Sequence, residues 1–227
     1  MNAETVLTTT FANAAQSDAT QVMVNNSLEG VSASLTSLTS TNYVQGSTAT
    51  ACNLQTSGAA GQDVTFLSPN INVGTTGKWT STFNYNFGTN TIDLTGVTLN
   101  VAIFNASGNF QTSNVTRTFD FELKIGDAVF SKSSVSVTGK GSGTGENTKT
   151  EVALDLASSS SSSVSLTGKK DIVLTISRGA NEENGCFIGL NSISFGGTLT
   201  PVPEPSSFGL LAGLGALALV GARRRRK

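Results

Sequence analysis

Apolar and polar residues alternate with a period of two along most of the chain before residue 200. Between Lys78 and Gly88, Trp79, Ser81, Phe83, Tyr85 and Phe87 share one face while Thr80, Thr82, Asn84 and Asn86 share the other. In Ile92–Phe104, Val97, Leu99, Val101 and Ile103 alternate with Thr98, Asn100 and Ala102. The cleanest stretch is Arg117–Ile125, with Phe119, Phe121, Leu123 and Ile125 set against Thr118, Asp120, Glu122 and Lys124. Val152, Leu154 and Leu156, then Ile172, Leu174 and Ile176, continue the theme. Such alternation predicts strands with one face in a core and the other in water. A phase slip between Leu190 and Ile193 predicts a bulge in the last strand. Thr5–Phe11, Gln21–Val24 and Val31–Leu38 are weaker strand candidates.

No helical period of comparable length occurs before residue 200. Many short strands without intervening helices predict an all-β fold, an antiparallel two-sheet sandwich of jelly-roll-like or immunoglobulin-like form. The pattern does not fix the order of strands. Lys140–Asn147 is glycine-rich and predicts a flexible hairpin connection, and the serine run Ser158–Ser163 is too polar to join a core. Thr198–Pro201 is expected to begin a stalk.

After Pro201 the pattern changes completely. Pro201-Val202-Pro203-Glu204-Pro205 is followed by an uncharged apolar run from Phe208 to Ala222, then by Arg223, Arg224, Arg225, Arg226 and Lys227. A helix over Ser206–Ala222 would span roughly 25 Å at about 1.5 Å per residue. That is short for a hydrocarbon core of about 30 Å, so membrane thinning or arginine snorkelling must help. Glycines 209, 213, 215 and 221 suit a membrane span better than a water-exposed helix. Lys and Arg beside a span stay cytoplasmic, which places residues 1–200 outside. The expected organisation is a β-sandwich body over residues 1–198, a stalk over 199–207, a transmembrane helix over 208–222 and a cytoplasmic basic stop over 223–227.

The order proline triplet, apolar span and basic terminus resembles the bacterial PEP-CTERM sorting signal over about the last 27 residues. The resemblance implies export and arrest in the inner membrane. It also implies recognition of Pro203, Glu204 and Pro205 by an exosortase, a membrane-embedded cysteine transpeptidase-like enzyme. The flanking prolines hold the backbone extended, as a processing enzyme requires. In many members of the family the body associates with exopolysaccharide or biofilm matrix. A signal peptide is expected ahead of such a body. Met1–Thr10 lacks the basic n-region and apolar h-region of one, which suggests a truncated start.

Charge and composition narrow the chemistry. Five of the fourteen cations lie in the tail, leaving nine against fourteen acids in residues 1–200, a net charge of −5. An acidic body without a Lys/Arg cluster is a poor nucleic-acid binder. There is no histidine, which removes Ser-His-Asp triads and His-containing zinc sites. Cys52 and Cys186 are too few for a structural cysteine-only zinc site; in an exported protein they suit one disulfide, with two free thiols as the alternative.

Asp120 and Glu122 form the most tempting carboxylate pair, because glycoside hydrolases use two carboxylates. Their alternation with Phe119 and Phe121 points them to water, as in an ordinary solvated strand face. Glu182 and Glu183 could contribute to a calcium loop, although a charged hairpin turn accounts for them equally. Tyr43, Trp79 and Tyr85 could stack on sugars, but the shared face of Trp79, Phe83, Tyr85 and Phe87 suits core packing better. No catalytic residue, metal site or cofactor is expected. The expected role is structural or interactive at the surface, with extracellular polysaccharide as a partner; a calcium-assisted glycan-binding module is the alternative and a hydrolase a remote one.

Overall fold

A computed structural model describes residues 4–12, 23–43, 52–59, 62–69, 73–104, 110–141, 149–158, 164–179 and 187–201. Among these described residues are thirteen strands: β1 (Thr5–Ala12), β2 (Met23–Asn26), β3 (Ser32–Tyr43), β4 (Cys52–Ala59), β5 (Gln62–Pro69), β6 (Val73–Asn86), β7 (Asn90–Phe104), β8 (Thr116–Ile125), β9 (Ala128–Thr138), β10 (Thr150–Ser158), β11 (Val164–Leu166), β12 (Lys169–Arg178) and β13 (Phe187–Pro201). All pairings are antiparallel, and ten of the strands follow one path, β2-β1-β13-β7-β10-β9-β8-β12-β6-β3. β5 joins β13 at Leu190 and carries β4, while β11 joins β7.

β10 turns the corner between two sheets. Its first half, Thr150–Leu154, pairs with β7, and its second half, from Asp155, pairs with β9. Sheet A therefore centres on β13 and β7, and sheet B on β8, β12 and β6. The two ends of the path, β2 and β3, are consecutive in sequence, so the sandwich is nearly barrel-shaped.

The core lies between the sheets. Sheet A supplies Leu7, Phe11, Leu99, Val101, Ile193 and Phe195, all buried, and sheet B supplies Trp79, Phe83, Tyr85, Phe121, Leu123 and Leu174. Phe11 stacks on Phe83 at 5.8 Å between ring centroids, and Phe195 meets Tyr85 edge-on at 5.6 Å. Each such ring contributes about 1.5–3 kcal/mol through burial. The alternating stretches adopt the strands they predict, and the β13 bulge falls between Leu190 and Ser192.

Three features differ from the pattern's expectation. Thr198–Pro201 is no stalk: it is the end of β13, paired in register with Asp93, Ile92, Thr91 and Asn90 of β7. Residues 199–201 thus belong to sheet A, held by the backbone ladder and by Leu199, which packs against the core between exposed Thr198 and Thr200. β9 escapes the alternation rule because its inward residues switch phase, from Ala128 and Phe130 to Val137, across a bulge opposite Asp120. Ala102 and Phe104 fall on the outer face of sheet A yet are buried, since Phe66 and Phe110 cover them. Phe104 stacks on Phe110 at 4.8 Å and meets Phe66 edge-on at 5.1 Å, a satellite core beneath β5.

Among the described residues no helix is long and apolar enough to cross a membrane. The expected transmembrane segment, residues 208–222, lies outside the described residues.

Candidate functional site

β13 is the central strand of sheet A, held between β1 and β7. Its last residue, Pro201, pairs with Asn90. The Pro203-Glu204-Pro205 triplet follows two residues later in sequence, so no long linker separates it from the sandwich. The triplet, the apolar run and Arg223, Arg224, Arg225, Arg226 and Lys227 lie outside the described residues. So does Cys186, and with it the suspected bridge to Cys52, the first residue of β4.

On the body, Asp120 and Glu122 share the outer face of β8, half-buried, while Phe119, Phe121 and Leu123 point into the core. They line an open groove of about 320 Å³ with Lys78, Ser131, Ser133 and Thr175. Both carboxylates are engaged locally. Asp120 Oδ1 accepts a hydrogen bond from the Ser134 backbone N–H at 2.7 Å, and Glu122 Oε1 lies 3.0 Å from Lys124 Nζ. Ser134 sits in the left-handed region, at φ 57°, on the β9 bulge. A serine there is strained, and the Asp120 acceptor offsets that strain by fixing the bulge. Asp120→Ala is therefore expected to lower stability by about 1 kcal/mol, read as a denaturation midpoint. An unchanged midpoint would remove this structural role.

The aromatic residues of β6 and the turn after it do not form a sugar-stacking platform. Trp79, Phe83, Tyr85 and Phe87 are each at most 1% exposed. Tyr85 instead anchors a buried polar chain that the sequence does not reveal: its hydroxyl donates to Thr9 Oγ1 at 2.9 Å, and Thr9 Oγ1 donates to Asn26 Oδ1 at 2.7 Å. The chain joins sheet B to β1 and β2 across the core. Burial raises the Tyr85 pKa well above the ordinary tyrosine value, and the Thr9 hydrogen bond opposes the shift.

Ionisation is thus harder in the folded protein than in the unfolded chain. The Tyr85 contribution to stability is whole below the unfolded value of about pH 10. It is lost as pH rises from there towards the folded value. Stability should fall above pH 10 by up to about 1.4 kcal/mol per pH unit, and Tyr85→Phe should flatten that fall. Identical alkaline slopes for the two proteins would contradict the assignment.

Among the described residues no three His, Cys, Asp or Glu side chains converge as a metal site. Glu182 and Glu183, the calcium-loop candidates, lie outside those residues. The Tyr43 side chain lies outside them too.

Residues 201–226 match the PEP-CTERM protein-sorting motif. The chain therefore carries the signal of an exported protein sorted to the cell envelope by an exosortase-type enzyme. No curated protein matches the sequence. Among solved structures the body is similar to TmCBM61, solved in complex with β-1,4-galactotriose, at 9% identity and a TM-score of 0.32, over 77% of this chain and 90% of that one. It is similar to a family 35 carbohydrate binding module from Clostridium thermocellum, at 10% identity and a TM-score of 0.32, over 71% and 97%. It is also similar to the mosquito-larvicidal Cry4Aa toxin from Bacillus thuringiensis, at 9% identity and a TM-score of 0.35, over 87% and 43%. At TM-scores this low the likeness carries no argument about ligand.

Proposed function

We propose that this chain is a non-enzymatic surface or extracellular-matrix protein whose β-sandwich is delivered, arrested and released through its C-terminal signal. The observation that carries the proposal is the match of residues 201–226 to the PEP-CTERM motif. In this account residues 208–222 span the inner membrane with the basic stop inside. The exosortase acts at or near Pro203, Glu204 and Pro205, and the body reaches the surface or the medium. Because β13 continues to Pro201, processing close to the triplet leaves the sheet A ladder intact.

A structural role is supported by the carboxylates. Asp120 and Glu122 serve a bulge and an ion pair on an open face, with no enclosed cleft to hold a reacting bond. Fractionation of the native host tests the proposal. The sandwich should be recovered from the cell surface or the medium, and recovery from the cytoplasm alone would contradict it.

A further inference from the structure

Beside the satellite core the outer face of sheet A carries three cross-strand rows, the third of them at register shifts of β13 against β1 and β7. One row runs Thr10–Ser192–Asn100–Glu151 and the next Thr8–Ser194–Thr98–Ala153. Neighbours are tied by hydrogen bonds, Asn100 Nδ2 to Ser192 Oγ at 3.1 Å and Thr8 Oγ1 with Ser194 Oγ at 3.2 Å. The third row is Thr5–Gly196–Gly96. Gly96 has open space where a side chain would stand, and beside it, with the buried Gly196, lies a trough of about 410 Å³ bordered at its far side by Ala153 and Asp155 of β10.

Gly96 lies at a register shift between β7 and β13, yet neither a contact nor its φ demands a glycine there. A Cβ there would meet nothing within 4 Å, and its φ is not in the left-handed region. Neighbouring glycines are different. At Gly197 a Cβ would lie 2.2 Å from the Asp93 carbonyl oxygen, and at Gly189 2.8 Å from the Phe104 ring. Glycine inside a strand weakens it. A glycine that packing and backbone do not demand therefore points to the space above it as the feature that matters.

The chemistry of that space is narrow. Hydroxyls of Thr5, Thr95, Thr98 and Ser194, the Asn100 amide and the carboxylates of Glu151 and Asp155 line it, and among the described residues no cation does. Asp155 pairs with exposed Lys132, 2.6 Å away. Hydroxyls and amides give and accept hydrogen bonds, whereas carboxylates only accept. Such a lining pairs with a ligand rich in hydroxyl donors and repels a polyanion.

We propose that the Gly96–Gly196 trough is the seat for one segment of a neutral, polyhydroxylated polysaccharide. Its biological setting rests on the surface-and-matrix role proposed above. Lacking an aromatic platform, the seat recognises the polymer by hydrogen bonds, so affinity arises from several weakly bound segments presented together.

The test uses the full chain in a sugar-free zwitterionic detergent, with native affinity electrophoresis through gels containing a neutral glucan, a neutral galactan or anionic alginate. At least one neutral polymer should retard the wild type and alginate should not. Gly96→Leu, which fills the trough with an aliphatic group, should weaken the retardation at least tenfold with an unchanged melting temperature. Ala153→Leu, filling it from exposed β10, should do the same, and Thr82→Leu on sheet B should have no effect. No retardation by either neutral polymer, equal retardation of both filled variants and the wild type, or equal retardation by alginate would overturn the proposal. Export and cleavage play no part in this assay, so its failure leaves the sorting role standing, and failed sorting in the host leaves its result standing.

Discussion

Phe83→Ala is expected to destabilise the sandwich by about 3–5 kcal/mol. Phe83 lies fully buried towards the end of β6, where Phe11 of β1 stacks on it at 5.8 Å and Tyr85 lies tilted beside it at 6.3 Å. Its removal costs the transfer energy of the ring and leaves a cavity between two sheets that cannot collapse without sliding past each other. Domains of this size have a total stability of about 5–15 kcal/mol, so the variant should melt far earlier or populate the unfolded state at ambient temperature. A chemical denaturation midpoint within about 1 kcal/mol of the wild type would contradict the packing described for the sheet interface.

The second large effect is all-or-none and concerns the signal rather than the fold. Pro203→Ala combined with Glu204→Ala is expected to leave the protein at precursor length in the membrane fraction, with the sandwich folded as before. The triplet lies beyond Pro201, where β13 ends, so the substitutions leave the sequence of every described strand unchanged. Both change what an exosortase meets: a backbone less constrained to the extended form, and no carboxylate. Processing of the double variant at the wild-type rate would remove the sorting role of the triplet.

How much of this was legible in the sequence depends on the range of the interactions involved. Phe119, Phe121, Leu123 and Ile125 announce β8 because each residue's face follows from its nearest neighbours alone. The β13 bulge is legible for the same reason, as a broken phase between Leu190 and Ile193. β9 hides because its own bulge, held by Asp120 from the adjacent strand, inverts its alternation midway. β4 and β5 have little apolar face to show, and Phe66 declares itself only against Phe104 and Phe110.

Strand order is not encoded locally. Tyr85 finds Thr9 across 76 residues of chain, and β1 finds β13 almost at the other end. The sorting signal was the most legible feature because it is linear, a triplet, a span and a charge cluster in fixed order. The Gly96 trough was invisible: a glycine in an alternating run looks like a defect until Gly196 is seen paired beside it.

The central claim is that the body is exported and parted from its C-terminal tail. The most direct test is the intact mass of the mature protein purified from its native host. The account predicts a mass that lacks Phe208–Ala222 and the basic residues Arg223–Lys227, with the β-sandwich complete through Pro201. A mature protein that retains Lys227 as its last residue and stays in the membrane would make it a plain anchored ectodomain and would contradict the account.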